Sequence, residues 1–521
     1  PPAPPEDVHE RIRTALADLT RRRLVEPAPG NRPGLHRFAG GLIQEVAYGS
    51  LSKRAKAARH EGAAELPSVV AEGAGAVGGH LERAHRCRAE LGLLDAHTER
   101  LRVRAAAALG LAGAQALARS DLHWADSLLR RSVGLSRPGD AAAAPALRRL
   151  GEVRLALGHA EEGTRLLRRV LDAGDAPVEA AHARLALAVL DPAAVNVPAT
   201  ARSVLPVFEA ASDHVGRARA RLRLGQQRQQ AGRHEEADRD LVRALDHAVR
   251  AEAEPERAAA LGAIGISLWR GPEPVPVAVS RCQALLAEHG GGRPTVRVTL
   301  NCPLAVLYAL QDRPREARAA LAEAERLAAG LDYAEAAVFL PVFRATVEAQ
   351  LGRRGEALAL LGRADEAARR AGAPGMRPLI GLEAARLLLD QDRTAAAAER
   401  IAEVVTAQAL PRADTVDLAG LRARLAALGG DAEEALRHAD TAVRTAALTD
   451  SPLVRATAVL DRAAALAALG LRDAAASAAR SAAERFTDKG HLPGARGARR
   501  LLAALAGAGQ PGSRTEPDRR R

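Results

Sequence analysis

The chain has 521 residues, 75 Lys and Arg against 63 Asp and Glu for a formal charge of +12, and aromatic residues at only 2%. That length exceeds what one compact core supports, and the scarcity of aromatics beside abundant alanine, leucine and arginine favours helices packed through small side chains. The three cysteines, Cys87, Cys282 and Cys302, form no CxxC pair and no long apolar run occurs, which argues against a disulfide framework and a membrane-spanning helix and points to a reducing cytoplasm.

Residues 1–6, rich in proline, read as a linker, and residues 7–52 have a texture of their own. An amphipathic helix over VHERIRTALADLTRRR (8–23) is followed by a turn-rich stretch, PAPGNRPG (27–34), and then by a second helix from about Gly41. The layout helix, strand, turn, strand predicts a small hairpin between Leu24 and Phe38, the only β structure expected in an otherwise all-α chain. Residues 53–105 follow as a helical connector. They contain a GxGxxG at Gly73, Gly75 and Gly78 with Asp95 further on. A dinucleotide site requires such glycines to follow a buried strand within a βαβ unit, and none surrounds these, so they read as an interhelical loop.

From 106 to 507 a helix, turn, helix phrase recurs about every 39 residues. Its small anchor residue falls at Ala125, Gly163, Ala201, Ala237, Ala278, Ala317, Ala357, Ala396, Ala435 and Ala475. Twelve residues before each anchor stands a small or β-branched residue, Gly113, Gly151 and Gly225 among them. Five before it comes the turn, at Ser120, Gly158, Asn196, Gly232, Glu273, Asp312, Gly352, Gln391, Gly430 and Gly470. Positions four and seven after the anchor, such as Leu241 and Ala244, complete one helical stripe. About ten such units predict a solenoid, each unit burying its apolar face only by stacking on its neighbours. The units at Ala278 and Ala396 are the weakest, because Pro272, Pro274 and Pro276 interrupt one and Arg400 and Glu403 fall on expected core positions of the other. The tail GQPGSRTEPDRRR (509–521) reads as disordered, together with Ala508.

The phrase resembles the tetratricopeptide repeat, most clearly in Leu224, Gly225, Ala237, Leu241 and Ala244, although the consensus tryptophan, tyrosine and proline are mostly missing and the period exceeds 34 residues. A second resemblance is carried by three motifs in order: RFAGGLIQEVAYGSLSKR (37–54), GHLERA (79–84) and AGAQALARSD (112–121). These are similar to the segment joining the winged helix to the helical repeats in bacterial STAND-class ATPase regulators, including those related to class III nucleotide cyclases and LuxR-type regulators. One departure is Gly40, where that family commonly has histidine. The resemblance implies that residues 7–52 form part of a winged helix and that an ATP-binding ATPase core lies upstream in a longer chain.

No catalytic residue, cofactor site or metal site is expected in the chain itself. No GxxxxGK[ST] phosphate loop occurs, and Lys53, Lys56 and Lys489 are the only lysines. His80, His85 and Cys87 cannot readily form one ligand face on a helix, so they read as packing or solvent-facing groups. His234 and His438 read as capping and surface charge. Nucleic acid is not the expected partner, because Arg and Glu interleave throughout, as in RHEEADRD (233–240), in the manner of a solvated helix surface. The expected function is non-catalytic: a signalling scaffold that binds a protein, peptide or other ligand on the concave face of the solenoid, with Arg219, Gln226, Gln229 and Gln230 as candidate contacts. Alternatives are a free-standing adaptor and a fragment of a transcriptional regulator.

Overall fold

The structure, a computed structural model, describes residues 5–27, 36–119, 121–190, 195–331, 336–371, 374–405 and 410–507. The turn expected at Ser120, the hairpin loop 28–35, residues 1–4 of the expected linker and the tail 508–521 lie outside the described residues. The chain forms two compact units. One runs from the N-terminus to Ala173, and the other from Gly174 onward, with residues 118 and 119 grouped with the second.

In the first unit, helix α1 (Pro5–Arg21) leads through Arg23, at a φ of 56°, into β1 (Val25–Pro27). Strand β1 pairs antiparallel with β2 (His36–Phe38), setting Val25 opposite Phe38. This two-stranded hairpin is the only sheet among the described residues and falls where the turn chemistry placed it. Helix α2 (Gly41–Gly49) buries none of its side chains. Helices α3 (Lys53–Ala64), α4 (Pro67–Glu72), α5 (Ala74–Ala89) and α6 (Ala96–Ala118) follow. The GxGxxG glycines are not a loop. Gly73, at a φ of 106°, precedes α5, whereas Gly75 and Gly78 lie within that helix. A Cβ at Gly78 would stand 2.9 Å from Leu109 Cγ and 3.0 Å from the Leu109 backbone nitrogen, so this glycine permits close contact with α6. Helices α7 (Leu122–Leu135), α8 (Ala143–Ala156) and α9 (Ala160–Ala173) complete the unit.

The second unit is a succession of helix pairs. Its first half comprises α10 (Pro177–Leu190), α11 (Val197–Ala210), α12 (His214–Gln230), α13 (His234–Arg250), α14 (Glu254–Arg270), α15 (Val275–His289), α16 (Pro294–Leu310) and α17 (Pro314–Ala329). Then come α18 (Ala336–Gln350), α19 (Arg354–Arg370), a 3-10 turn (Pro374–Met376), α20 (Arg377–Leu389), α21 (Thr394–Val405) and α22 (Arg412–Leu428). The last four are α23 (Ala432–Ala447), α24 (Pro452–Ala468), α25 (Arg472–Lys489) and α26 (Leu492–Gly507). Even-numbered helices pack on one another, α12 on α14, α14 on α16, α16 on α18, α20 on α22 and α22 on α24, while odd-numbered helices pack beside them. The architecture is an all-α, tetratricopeptide-like helical-repeat solenoid.

The repeat phase accounts for the packing. The anchors Ala125, Ala201, Ala237, Ala278, Ala317, Ala357, Ala435 and Ala475 are all fully buried. Glycines twelve residues earlier explain how the paired helices approach: a Cβ at Gly113 would lie 2.6 Å from Leu129 Cγ, and one at Gly225 2.6 Å from Leu241 Cδ2. These leucines are the residues four after each anchor. At the turns, Gly158, Gly232, Asp312, Gly352, Gly430 and Gly470 all take positive φ, which ends the first helix of each pair in the left-handed region.

Three turn or anchor expectations are corrected. Asn196 caps α11, its side chain accepting from the Ala199 amide, instead of forming a left-handed turn. Before α15, Gly271 is extended and Pro274 precedes the helix, so Glu273 makes no such turn either. In the unit of α20 and α21 the phase shifts by one residue. The left-handed turn is Asp392, not Gln391, and the buried stripe is Ala385, Ala397, Ile401 and Val404 in place of the stripe through Ala396. Arg400 and Glu403 therefore leave the core and pair with each other at 3.1 Å.

Candidate partner-binding surface

The even-numbered helices of the second unit form an inner layer because the layer closes on itself. Helix α14 packs against α24 as well as α16, and α16 packs against α26. Polar contacts lock this closure. The Asp450 amide donates to the Gly232 carbonyl at 2.9 Å, the Glu235 amide to Asp450 Oδ2 at 2.8 Å, and Ser451 Oγ to the Arg270 carbonyl at 2.5 Å. Lys489, 2% exposed, donates from Nζ to the carbonyls of Gly271 at 2.7 Å and Glu273 at 2.5 Å, capping the end of α14. Burial holds its pKa down at about 8. Arg496 forms a two-pronged pair with Asp312 at 2.6 and 3.0 Å, and His491 Nε2 lies 2.8 Å from Gln350 Oε1.

Two histidines are sealed within this closure. His234, expected on the surface, is 4% exposed, and burial pushes its pKa down to about 4. A surface role fails because Gly271 and the loop at Asp450 cover it. His491 is pushed down to about 3, chiefly by burial and secondarily by Lys489. Both Nδ1 atoms lack a hydrogen-bond partner. His438, expected as a cap or surface charge, instead lies within α23 with its side chain 13% exposed and pairs with Glu434 at 2.8 Å, while Asp431 caps the helix.

The four candidate contacts lie together on α12, an inner-layer helix, but three of them are already engaged. Arg219 Nε donates to Glu256 Oε1 on α14 at 2.6 Å. Gln229 Nε2 donates to the Ala263 carbonyl at 2.7 Å and lies 2.8 Å from Ser267 Oγ. Gln226 accepts from Arg223 at 2.7 Å, while Gln230 is exposed. Arg219 and Gln229 thus tie neighbouring inner helices together, a role that long polar side chains fill when the inner layer is tight.

A second cluster on the inner layer was not singled out from sequence. Arg386 of α20 donates from one terminal nitrogen to both Asp461 oxygens, at 2.8 and 2.9 Å, and from the other to Asp417 Oδ1 at 2.7 Å. Arg424 pairs with Asp390 at 2.7 Å. Room for Asp461 comes from Gly420, whose Cβ, if present, would lie 2.5 Å from Asp461 Oδ2. Burial opposes the Arg386 charge, but Asp461, Asp417 and Glu383 more than offset it and its pKa is raised. Glu383, Asp417 and Asp414 are all pushed up by burial, Asp414 to about 6. Yet the Arg386 and Asp417 side chains keep 20% and 24% exposure, so the cluster lines a deep recess that water still reaches. The participating residues are separated by up to 75 positions, beyond any local spacing signal.

In the first unit His80 Nδ1 lies 2.9 Å from His60 Nδ1, whose ring also contacts the Tyr48 hydroxyl at 2.9 Å, and Cys87 is buried. Among the described residues no three His, Cys, Asp or Glu side chains stand close enough to hold a metal ion, and no helix is long and apolar enough to cross a membrane.

These features define a helical-repeat protein with an inward-facing polar surface. No family model matches the chain, and no curated protein matches it. Solved structures similar to it include the hetero-tetramer Cut9–Hcn1 of APC/C, at 14% identity over 90% of this chain and 96% of that one, with a TM-score of 0.46. A Rap protein complexed with competence and sporulation factor matches at 12% identity over 78% and 98%, with a TM-score of 0.39. Yeast Tom70 matches at 11% identity over 87% and 96%, with a TM-score of 0.33.

Proposed function

We propose that this chain is a non-catalytic scaffold that binds a protein or peptide segment on the inner face of its second unit, and that it serves as the repeat region of a STAND-type ATPase regulator. The observation that carries the scaffold reading is the inner layer itself. Its even-numbered helices direct Arg386, Asp417, Glu383 and Gln230 toward partly accessible positions. Solenoids use such extended inner surfaces for recognition. The regulatory reading rests on the three ordered motifs between 37 and 121. A bound partner would shift the upstream ATPase only by binding its two states with different affinity.

The test places a photo-crosslinking residue at Gln230 or Glu383 on the inner layer and, for comparison, at Arg239 on α13, whose side chain is 69% exposed. Irradiation in the source cell should give protein adducts at the inner positions and not at Arg239. Adducts at Arg239 alone, or at no position, would refute the assignment.

A further inference from the structure

We propose that the recess among α20, α22, α24 and the C-terminal end of α14 is a cation subsite that seats an arginine or lysine side chain of a bound peptide. The inference rests on the inner-face reading above and adds the chemistry of the partner.

Charge within the recess does not balance. Five carboxylates, Glu383, Asp390, Asp414, Asp417 and Asp461, share it with three guanidinium groups, Arg270, Arg386 and Arg424. Arg386 is committed to Asp461 and Asp417, and Arg424 to Asp390 and Asp461. Arg270 feels the charges of Glu383, Asp414 and Asp417, but its guanidinium stacks over the Trp269 ring at 4.7 Å and reaches none of them. Two acids are left over. Neither Glu383 nor Asp414 makes a hydrogen bond or an ion pair among the described residues, and Asp414 is only 5% exposed.

Buried acids are ordinarily paired, because desolvating an isolated carboxylate is unfavourable. Asp414 stands in the first turn of α22, where the helix dipole favours a negative charge. The dipole supplies no hydrogen bond and cannot serve Glu383, which lies within α20. A guanidinium or ammonium entering the recess would restore the missing partner. The carboxylates are too dispersed to share a metal ion, since no group of three could hold one among the described residues, whereas the end of a basic side chain presents several donors to separated oxygens. The chain as a whole is positive, at +12, so it repels a cationic peptide at long range. Binding that persists at physiological salt must therefore be local.

Fluorescence anisotropy tests this with the whole protein and three labelled octapeptides that alternate alanine with arginine, glutamine or glutamate. At about 0.15 M salt, where screening confines attraction to roughly 8 Å, the arginine peptide should bind and the glutamate peptide should not. The double variant Glu383→Gln, Asp414→Asn should weaken binding at least tenfold, with Arg239→Ala on α13 unchanged. If the double variant does not fold, Glu383→Gln alone carries the test and should weaken binding several-fold. Unchanged affinity in a folded variant, equal binding of the glutamine peptide, or displacement of the arginine peptide by equimolar spermidine would each overturn the proposal. A glutamine peptide that crosslinks to Gln230 while the arginine peptide fails to bind would leave the scaffold reading standing and remove only the cation subsite. Absence of any inner-face adduct would remove the scaffold reading itself.

Discussion

Replacing Gly225 with alanine isolates the close helix crossing of the α12–α13 repeat. The new Cβ would lie 2.6 Å from Leu241 Cδ2 and 2.7 Å from its Cγ, and Leu241 is fully buried, so the two helices must separate or the leucine must leave its rotamer. Overpacking of this kind costs about 1–3 kcal/mol. Against it stands the helix preference for alanine over glycine, about 0.5–1 kcal/mol. The net effect should be a destabilisation of about 1 kcal/mol. Gly362, exposed in α19 with nothing within 4 Å of its Cβ position, supplies the control. There only the helix preference acts, and Gly362→Ala should stabilise by about 0.5–1 kcal/mol. Repeat arrays need not unfold in one step, so the suitable assay is native-state hydrogen exchange, read at α12 and α13 for one variant and at α19 for the other. Stabilisation by Gly225→Ala to the same extent as by Gly362→Ala would show that this crossing is not close-packed.

Ala357→Leu, at a fully buried anchor, should cost about 1–3 kcal/mol and raise exchange first in α18, α19 and α20 while α5 and α6 keep their protection; uniform loss would contradict the repeat architecture. Acid should open the closure of the second unit. His234 and His491 have folded pKa values depressed to about 4 and 3, so the unfolded chain binds more protons below about 6.5, and the stability they confer above that pH is lost as pH falls toward those values. The groups facing them are Asp450, Arg270 and Lys489 for His234, and Lys489 with Gln350 for His491. Trp269 fluorescence in a Trp124→Phe background should report the opening, and a flat profile from pH 7 to 4 would refute it. Asp414 has the opposite sign. Its pKa is raised from 3.8 to about 6, so its burial destabilises the fold above that range and is harmless below pH 4. Asp414→Asn should therefore raise stability at pH 7 by up to about 3 kcal/mol, by the usual 1.36 kcal/mol per pKa unit, with no gain at pH 4; equal gains at both would point to a cause other than charge.

The helix pairs were legible because a solenoid writes its packing locally. Anchor, turn and leucine recur at fixed offsets, and the fully buried Ala237, Ala317 and Ala435 sit where the period puts them. Local reading faltered where the signal is degenerate. The run Ala395 to Ala398 offers adjacent alanines of equal character, and Asp392 takes the left-handed turn without a glycine to mark it, so the phase of that unit was displaced by one. The GxGxxG likewise carries no label distinguishing a loop from a helix crossing. Closure of the inner layer could not be read at all. Lys489 meets Gly271 across 218 residues, and Arg386 meets Asp461 across 75, separations at which periodicity is silent. For the same reason the candidate contacts read from sequence fall on α12, where Arg219 and Gln229 hold neighbouring helices, and the recess around Glu383 went unseen.

The most direct test of the inner-face account is to locate a bound peptide on the protein. An arginine-alternating peptide carrying a benzophenone at its centre, crosslinked at saturating concentration and mapped by mass spectrometry, should leave its adducts on the inner helices around Glu383, Asp414 and Asp417. Adducts confined to the outer helices α13, α19 and α23, with none on α20, α22 or α24, would contradict the account.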